Sequence, residues 1–453
     1  MTNSYSDITP YIRELAACSD RNNGIQPQMY IDHHVKRGLR DLEGRGVIAG
    51  LTEISDIQSK EITPDGQEIP AEGKLFYRGI NVRDLVTGFM SEKRHGFEET
   101  VYLLLFSALP DQQELARFSA LLSGYRSLPP SFVRDLILKA PGRDMMNILS
   151  RSVLALYAYD ENPDDISTAN VLRQCLQLIA QFPLLSVYGY QSYQHYHNGK
   201  SLFIHFPKPE YDTAENLLFI LRENGEFSPL EARLLDLALV LHAEHGGGNN
   251  STFTTHVVTS SGTDTYSAVS AALGSLKGPR HGGANIKVMR MFDDMRASID
   301  TTDKNQIRDY LIRLLDREAF DRAGLIYGMG HAVYSISDPR ADILRAAAEK
   351  LSEEKGMQEE FHLYETVAEL APAIIAEKRK MYKGVSANVD FYSGMVYKML
   401  GLPYELFTPI FAISRIAGWS AHRLEEIQCA GKIIRPAYIS VKKPTSYVPL
   451  DQR

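Results

Sequence analysis

The sequence predicts a mainly α-helical protein of two or three domains with minor β hairpins. Apolar residues recur at helical spacing along most of the chain, and the alternation typical of strands is confined to two short stretches. At 453 residues the chain exceeds the size of a single ordinary hydrophobic core. Hydrophobic residues make up 44% and charged residues 23%, which is the balance of a packed globular protein.

Several helices are predicted from their capping signals and apolar spacing. Ser228-Pro229-Leu230-Glu231 has a capping serine, a proline at the first helical position and a glutamate placed to reach back. The glycines at 246–248 are expected to end that helix. Pro372 is expected to kink or split the helix that contains it. Further helices are predicted over 263–276, 284–298, 304–318, 340–354, 359–381, 391–400 and 405–426.

Strand signals are few. The segment 47–79 alternates weakly and contains Pro64-Asp65-Gly66, a turn sequence, so it predicts a small hairpin. A short extended piece near 437–442 is the other candidate.

Composition excludes several classes of protein. A formal net charge of −7 argues against a general nucleic-acid binder. The cysteines Cys18, Cys175 and Cys429 are scattered, which excludes a disulfide framework and a cysteine-based zinc site. The sequence has neither a secretory signal pattern nor a long uncharged apolar run, so the cytoplasm is the expected location and no membrane partner is expected.

Two histidines lie in glycine-rich turns, where the backbone can approach a ligand closely. His281 lies in GPRHGGAN (278–285), and His331 lies in GMGHAVY (328–334). A loop histidine whose glycines only serve the turn is the alternative for each. In LHAEHGGGN (241–249), His242 and His245 have the spacing of a shared helix face, which suggests a metal site; a histidine favoured by the helix dipole is the simpler interpretation.

Three charged residues also have competing interpretations. Asp390, in NVDFYSG (388–394), is expected to cap the helix 391–400, with a catalytic carboxylate as the alternative. In SDPRA (337–341), Asp338 and Pro339 are explained as a helix start, whereas Arg340 is left unexplained. Arg415, among apolar residues in ISRIAGW (413–419), needs an anion from a protein carboxylate or a ligand.

Together, in this order, these motifs resemble the citrate synthase family, and the resemblance is strong from about residue 230 to 441. The family condenses acetyl-CoA with oxaloacetate to give citrate and CoA, so both are implied as substrates and no cofactor or metal is expected. The resemblance implies that Asp390 removes a proton from the acetyl methyl group. His281 would hydrogen-bond the thioester oxygen, and His331 would protonate the ketone oxygen of oxaloacetate.

The resemblance also implies a binding set and an assembly. Oxaloacetate would be held by His245, Arg340, Arg415 and Arg435, with Arg435 reaching in from the partner subunit of a homodimer. Guanidinium groups bind carboxylates as bidentate forks, which orients the substrate. A large helical domain of 1–285 and 403–453 and a small domain of 286–402 that closes over the site are expected.

One departure concerns CoA. Basic residues commonly follow the second catalytic histidine in the family, but Tyr334-Ser335-Ile336-Ser337 contains none. The CoA phosphates must therefore use other cations, and Arg280, Lys277 and Lys287 are candidates. The adenine is expected to meet the backbone of 325–330.

Three other functions stay open at the level of sequence. A 2-methylcitrate synthase would use propionyl-CoA with the same residues, since one methylene changes binding by only about 1–3 kcal/mol. A non-catalytic dicarboxylate sensor would not need Asp390. A metal-dependent hydrolase built on His242 and His245 lacks a convincing third ligand.

Overall fold

The computed structural model describes residues 6–22, 24–40, 46–330, 334, 336–379, 384–429 and 431–453, with residue 37 described by its backbone alone. The chain forms two compact units, one of residues 52–434 and one of residues 1–51 and 435–453. The predicted mainly α-helical class is confirmed.

The described residues of the smaller unit form the α-helices α1 (Pro10–Arg21) and α2 (Pro27–Asp32) and short 3-10 segments at Arg37–Leu39 and Leu450–Gln452. Thr9 caps α1, because its hydroxyl accepts a hydrogen bond from the backbone N–H of Ile12 at 3.2 Å. A proline occupies the first position of each helix, where its missing N–H costs nothing. The predicted strand near 437–442 is wrong, since that segment has no strand pairing among the described residues.

The larger unit contains a small antiparallel sheet of β1 (Ser55–Ile62), β2 (Glu68–Tyr77) and β3 (Ile80–Asn81). The predicted hairpin is confirmed, because β1 and β2 pair on either side of the 63–67 turn. Gly66 has a φ of +78°, a left-handed conformation that glycine adopts without steric cost. The register shifts between the pairs Gln58–Lys74 and Lys60–Pro70, so residues 71–73 of β2 lie opposite residue 59 of β1, which marks a bulge in β2.

The rest of the larger unit is helical, with a π-helical segment (Val133–Leu138) and short 3-10 segments at Tyr157–Tyr159 and Tyr404–Leu406. The helices are α3 (Val82–Ser91), α4 (Phe97–Phe106), α5 (Gln112–Tyr125), α6 (Met145–Leu156), α7 (Thr168–Asn198), α8 (Thr213–Leu221), α9 (Pro229–His242), α10 (Asn250–Thr259), α11 (Thr265–Lys277), α12 (Ala284–Ser298), α13 (Lys304–Leu315), α14 (Pro339–Lys355), α15 (Gln358–Arg379), α16 (Val389–Met399) and α17 (Phe407–Gln428).

Most predicted helix starts are confirmed. Helix α9 begins after Ser228, whose hydroxyl and Glu231 form a reciprocal capping box. Helix α12 has the predicted bounds. Helix α15 runs through Pro372 without a break, so the helix is not split. Helix α9 ends at His242, before the glycines that were expected to stop it.

The core is built around α7 and α17, which pack against each other. Helix α17 also packs against α4, α9, α10 and α11, so most of its residues are buried. The buried Tyr77 at the end of β2 donates its hydroxyl to the carbonyls of Val240 and Glu244, each at 3.1 Å. This contact joins the sheet to the end of α9, where the LHAEHGGGN motif begins.

Across the described part of the chain, no helix has both the length and the apolar character that crossing a membrane requires.

Candidate active site

His281 lies in a tight turn between α11 and α12. Its backbone N–H donates to the carbonyl of Gly278 at 2.8 Å, and the N–H of Gly282 donates to Leu276 at 2.9 Å. A Cβ at position 282 would lie 2.3 Å from the Leu276 carbonyl oxygen, so the turn requires glycine there. The glycine that follows His281 in GPRHGGAN is therefore required by the turn that fixes His281.

The imidazole of His281 is held by a serine on α10. His281 Nε2 lies 3.1 Å from Ser251 Oγ, which also accepts a hydrogen bond from Trp419 Nε1 at 3.2 Å. The hydroxyl proton of Ser251 has two acceptors within reach, His281 Nε2 and Asn249 Oδ1, the latter at 2.9 Å. Burial and then the positive charge of Arg415 lower the pKa of His281 to about 4, so the ring is neutral at pH 7.

Asp390 does not cap α16, so that prediction is wrong. Asn388 is the cap, because its Oδ1 accepts the backbone N–H of Asp390 at 3.0 Å, which leaves Asp390 in the first turn of the helix. The Nδ2 of Asn388 donates to the Gly330 carbonyl at 2.9 Å, and the backbone N–H of Asn388 donates to Gly328 at 2.9 Å. These bonds fix Asp390 beside the glycines of the GMGHAVY motif.

The carboxylate of Asp390 is destabilised by its surroundings. Burial raises the pKa of Asp390 to about 6, with the carboxylate of Asp338 acting in the same direction. The cations Arg340 and Arg415 oppose this shift without cancelling it. A carboxylate of raised pKa is a better proton acceptor than an ordinary aspartate, which is the property that a general base needs.

Arg415 on α17 is fully buried, and its guanidinium group is only partly satisfied. Its Nε donates to the carbonyl of His242 at 2.7 Å, and the group lies 4.6 Å from the centre of the Phe411 ring. Nη1 and Nη2 have no hydrogen-bond partner among the described residues. Burial lowers the pKa of Arg415 to about 10, so it stays charged at pH 7. Arg415 was predicted to need an anion, and no side chain in the described part of the chain provides one through a hydrogen bond.

Arg340 differs because it has a protein carboxylate. Asp338 accepts hydrogen bonds from Arg340 Nε at 3.0 Å and from Nη2 at 2.7 Å, and both side chains are buried. Burial opposes the charge of Arg340, but Asp338 raises the pKa above its ordinary value. Asp338 also caps α14, as predicted, and its Oδ2 accepts the backbone N–H of Val389 at 3.3 Å. One carboxylate thus orients both Arg340 and the start of α16.

The two histidines of the LHAEHGGGN motif do not share a helix face. Helix α9 ends at His242, and His245 lies beyond it in the following turn, so the geometric basis for a metal site on α9 is lost. His242 is fully buried, and neither ring nitrogen has a hydrogen-bond partner among the described residues. Burial lowers the pKa of His242 well below its ordinary value, and the ring therefore stays neutral.

The structure brings five of the predicted site residues to one cavity of about 330 Å³. These are His245, His281, Arg340, Asp390 and Arg415. His331 lies outside the described residues, although Gly330, its neighbour in sequence, lines the cavity. Arg435 belongs to the smaller unit and has an exposed side chain.

Several cavity features were missed in the sequence. Tyr397 and Asn285 line the cavity, and the Tyr397 hydroxyl and Asn285 Oδ1 have no partner within the described ranges. Buried polar atoms are normally paired, so unpaired ones around a cavity indicate a polar ligand. Ser251 was detectable only in part, since it follows the LHAEHGGGN motif by two residues. Trp419 lies inside ISRIAGW, but its contact with Ser251 spans 168 positions.

A cavity that combines an unpaired buried cation, a carboxylate of raised pKa and a neutral imidazole is typical of an acid–base enzyme with an anionic substrate. Comparison with known proteins agrees. The family model "Citrate synthase, C-terminal domain" matches residues 39–437. The citrate synthase of Haloferax volcanii is 36% identical over 427 residues, which is 92% of this chain and 99% of that protein.

Two other relatives refine this result. The 2-methylcitrate synthase 1 of Corynebacterium glutamicum is 31% identical over 429 residues, covering 93% of this chain and 99% of that protein. The solved citrate synthase of Thermoplasma acidophilum, a ternary complex with carboxymethyl coenzyme A and oxaloacetate, superposes with a TM-score of 0.75. It is 26% identical and covers 92% of this chain and 99% of its own.

The chain belongs to the citrate synthase family, and it is an acyltransferase. The function predicted from sequence, a citrate synthase, is confirmed, and the 2-methylcitrate alternative is not favoured. The sensor and the metal-dependent hydrolase interpretations are not supported, because the family is defined by acyl transfer.

We expect Asp390→Asn to stabilise the ligand-free protein above pH 6. Because the pKa of Asp390 is raised in the folded state, folded protein binds more protons than unfolded protein between about pH 4 and 6, and stability falls as pH rises through that window. The amide removes this loss, so the variant should gain about 1–3 kcal/mol at pH 7.5 and almost nothing at pH 3.5. Urea unfolding of the variant and of wild type at both pH values measures this difference in the free energy of unfolding. Asp309→Asn, at an exposed position on α13, is the control, and an equal gain there would contradict the assignment.

Proposed function

We propose that this enzyme condenses acetyl-CoA with oxaloacetate by acid–base catalysis in the cavity lined by residues of α12, α14, α16 and α17. The observation that carries the proposal is the convergence of Asp390, His281 and Arg415 on that cavity. In the first step the acetyl methyl group loses a proton to the Asp390 carboxylate. The resulting enol carbon then attacks the ketone carbon of oxaloacetate, and water hydrolyses citryl-CoA to citrate and free CoA.

Arg415 is the proposed anchor for a carboxylate of oxaloacetate. Its Nη1 and Nη2 are the donors of the bidentate fork that carboxylates fit, and the described side chains leave both without a partner. Arg340 is already neutralised by Asp338, so it would serve mainly to orient the second carboxylate. His245 lines the same cavity and is proposed as a further contact. Arg435 is proposed to complete the set from the partner subunit.

His281 is the proposed hydrogen-bond donor to the thioester oxygen. A neutral imidazole has one N–H, so donation to the substrate requires that the other nitrogen accept a bond. Ser251 Oγ lies 3.1 Å from Nε2, and when its hydroxyl donates there, the proton of His281 resides on Nδ1. Ser251 is therefore a positioning residue that selects the tautomer. A preorganised donor of this kind is worth roughly 2.7–4 kcal/mol in the transition state.

The acid that protonates the ketone oxygen is proposed from the sequence motif GMGHAVY. His331, which follows the cavity-lining Gly330, is proposed to protonate the ketone oxygen of oxaloacetate as the carbon–carbon bond forms. A large domain of 1–285 and 403–453 and a closing domain of 286–402 are proposed as well. In support, Arg415 and His281 come from the first part, whereas Arg340 and Asp390 come from the second.

The CoA phosphates are proposed to bind Arg280. Arg280 lines the cavity, is exposed and has no ion pair with any described residue. The other candidates have partners: Lys277 lies 3.1 Å from Asp144, and Lys287 lies 2.7 Å from Asp321. An exposed, uncompensated guanidinium group at the entrance is the stronger site for an incoming phosphate.

A cytoplasmic homodimer is the proposed state of the enzyme. The cysteines at 18, 175 and 429 are all free, which suits a reducing compartment. The dimer is proposed from the expected role of Arg435 across the interface.

We expect Asp390→Asn to lower thiol release from acetyl-CoA and oxaloacetate by about 10²–10⁴-fold, because the amide cannot accept the methyl proton. Oxaloacetate binding, measured by calorimetry, should stay within about threefold of wild type. The same thiol assay with propionyl-CoA tests the substrate, and wild type should prefer acetyl-CoA. Turnover of the variant near the wild-type rate, or a preference for propionyl-CoA, would overturn the proposal. Asp309→Asn is the matched control.

For Arg280→Ala we expect KM for acetyl-CoA to rise about tenfold through loss of a charged hydrogen bond, with KM for oxaloacetate unchanged. Lys287→Ala is the control, because its ammonium group is already bound to Asp321, and less than a twofold change is expected. The phosphate assignment fails if the two variants behave alike.

Subunit mixing tests Arg435. Subunits with Arg435→Ala and subunits with His281→Ala should each form nearly inactive homodimers. A mixed dimer would contain one site with an intact His281 and an intact Arg435 from the other subunit, so up to about half of the wild-type rate should return. Purified mixed dimers without recovered activity would show that each site uses its own Arg435.

A further inference from the structure

Two imidazoles face each other between α10 and α17, away from the residues assigned to catalysis. His256 Nε2 and His422 Nδ1 lie 3.0 Å apart. His422 is fully buried, and the side chain of His256 is 13% exposed. Facing ring nitrogens at this distance share either a proton, as in an N–H···N hydrogen bond, or a metal ion, because two lone pairs repel each other.

The outer nitrogens of both rings lie near carboxylates. His256 Nδ1 lies 2.7 Å from Glu426 Oε2, and His422 Nε2 lies 3.1 Å from Glu244 Oε1. A ring nitrogen hydrogen-bonded to a carboxylate carries the proton, so neutral His256 presents the lone pair of Nε2 to His422. When the proton of His422 is on Nε2, the nitrogen beside Glu244, the lone pairs of the two rings face each other. A carboxylate behind each imidazole is also the arrangement that orients histidines for a metal ion.

Glu425 supplies a third oxygen. Its Oε1 accepts the backbone N–H of Glu53 at 2.8 Å, which fixes the carboxylate. Its Oε2 lies 3.8 Å from His422 Nδ1 and has no hydrogen-bond partner in the described part of the chain. Nitrogen and oxygen ligands at about 2.0–2.2 Å from a tetrahedral ion are about 3.3–3.6 Å apart, so 3.0 and 3.8 Å require only small adjustments.

The three ligand atoms, from His256, His422 and Glu425, all lie within 4.8 Å of one another. Gly247 leaves space beside them, because a Cβ there would lie 3.5 Å from His422 Cε1 and 3.7 Å from His256 Nε2.

We propose that His256, His422 and Glu425 bind one divalent transition-metal ion of the zinc class, with Glu244 and Glu426 as the outer carboxylates. Imidazole and carboxylate ligands suit zinc and its neighbours, whereas magnesium prefers an all-oxygen octahedron. The ion joins α10 to α17 and to the turn after α9. It stabilises the folded chain, since the unfolded chain has no preformed site.

Calorimetric titration of the chelator-treated full-length enzyme with Zn²⁺ tests this proposal. Wild type should bind one Zn²⁺ per chain, with Mg²⁺ giving no comparable heat. Glu425→Gln, which keeps the shape of the side chain, should weaken binding at least about tenfold, and His256→Ala more. Glu426→Gln should weaken it about 10–100-fold through the outer shell. His362→Ala removes an exposed imidazole from α15 and should leave binding unchanged.

Thermal unfolding gives a second readout that does not depend on catalysis. Zn²⁺ should raise the unfolding temperature of wild type and of His362→Ala but not of His256→Ala. If wild type binds no zinc at one ion per chain, a shared proton occupies the gap and the proposal is wrong. Equal zinc affinity in wild type, Glu425→Gln and His256→Ala would also overturn it, because the ion would then bind elsewhere.

Discussion

The buried guanidinium group of Arg415 is the constraint on which the cavity depends. A cation removed from water is costly unless it is paired, yet its described contacts are the carbonyl of His242 and the face of the Phe411 ring. The dense packing of α17 against the surrounding helices, among them α4, α7, α9, α10 and α11, holds the group in place despite this cost. The unpaired Nη1 and Nη2 are therefore preorganised for an anion, and a substrate carboxylate gains from donors that need no rearrangement.

The same low-polarity surroundings act in opposite directions on the acid and the base. Burial raises the pKa of Asp390 to about 6, because the carboxylate is the charged form, and lowers that of His281 to about 4, because the imidazolium is the charged form. At pH 7 the result is a more basic carboxylate beside a neutral hydrogen-bond donor. Neither shift needs a special partner, since desolvation is the first cause of both.

Local sequence signals predicted the helices well and the site less completely. Capping and proline placement found the start of α9 at Pro229 because those interactions span four residues. Asp390 was misjudged as a cap, since Asn388 two residues earlier offers an equivalent side chain and only the backbone path decides between them. The Ser251–Trp419 contact joins segments 168 positions apart, so no local pattern contains it. The sequence motifs predicted which residues line the cavity. The tautomer of His281 and the unpaired polar atoms could be assigned only from the contacts in the folded structure.

Helix α17 couples the cavity to the histidine pair, because Arg415 and His422 lie two turns apart on it. Glu244 interacts electrostatically with both residues: burial opposes its charge, but His422 and then Arg415 lower its pKa to about 2. A Cβ at Gly418 would lie 2.3 Å from Glu244 Oε2, so the glycine in ISRIAGW makes room for this carboxylate. A proton or an ion between the histidines therefore acts on the same carboxylate that influences Arg415 electrostatically, without a hydrogen bond or ion pair to it in the described part of the chain. Arg415, which is proposed to bind the substrate, and the pair His256 and His422 are therefore coupled electrostatically through Glu244.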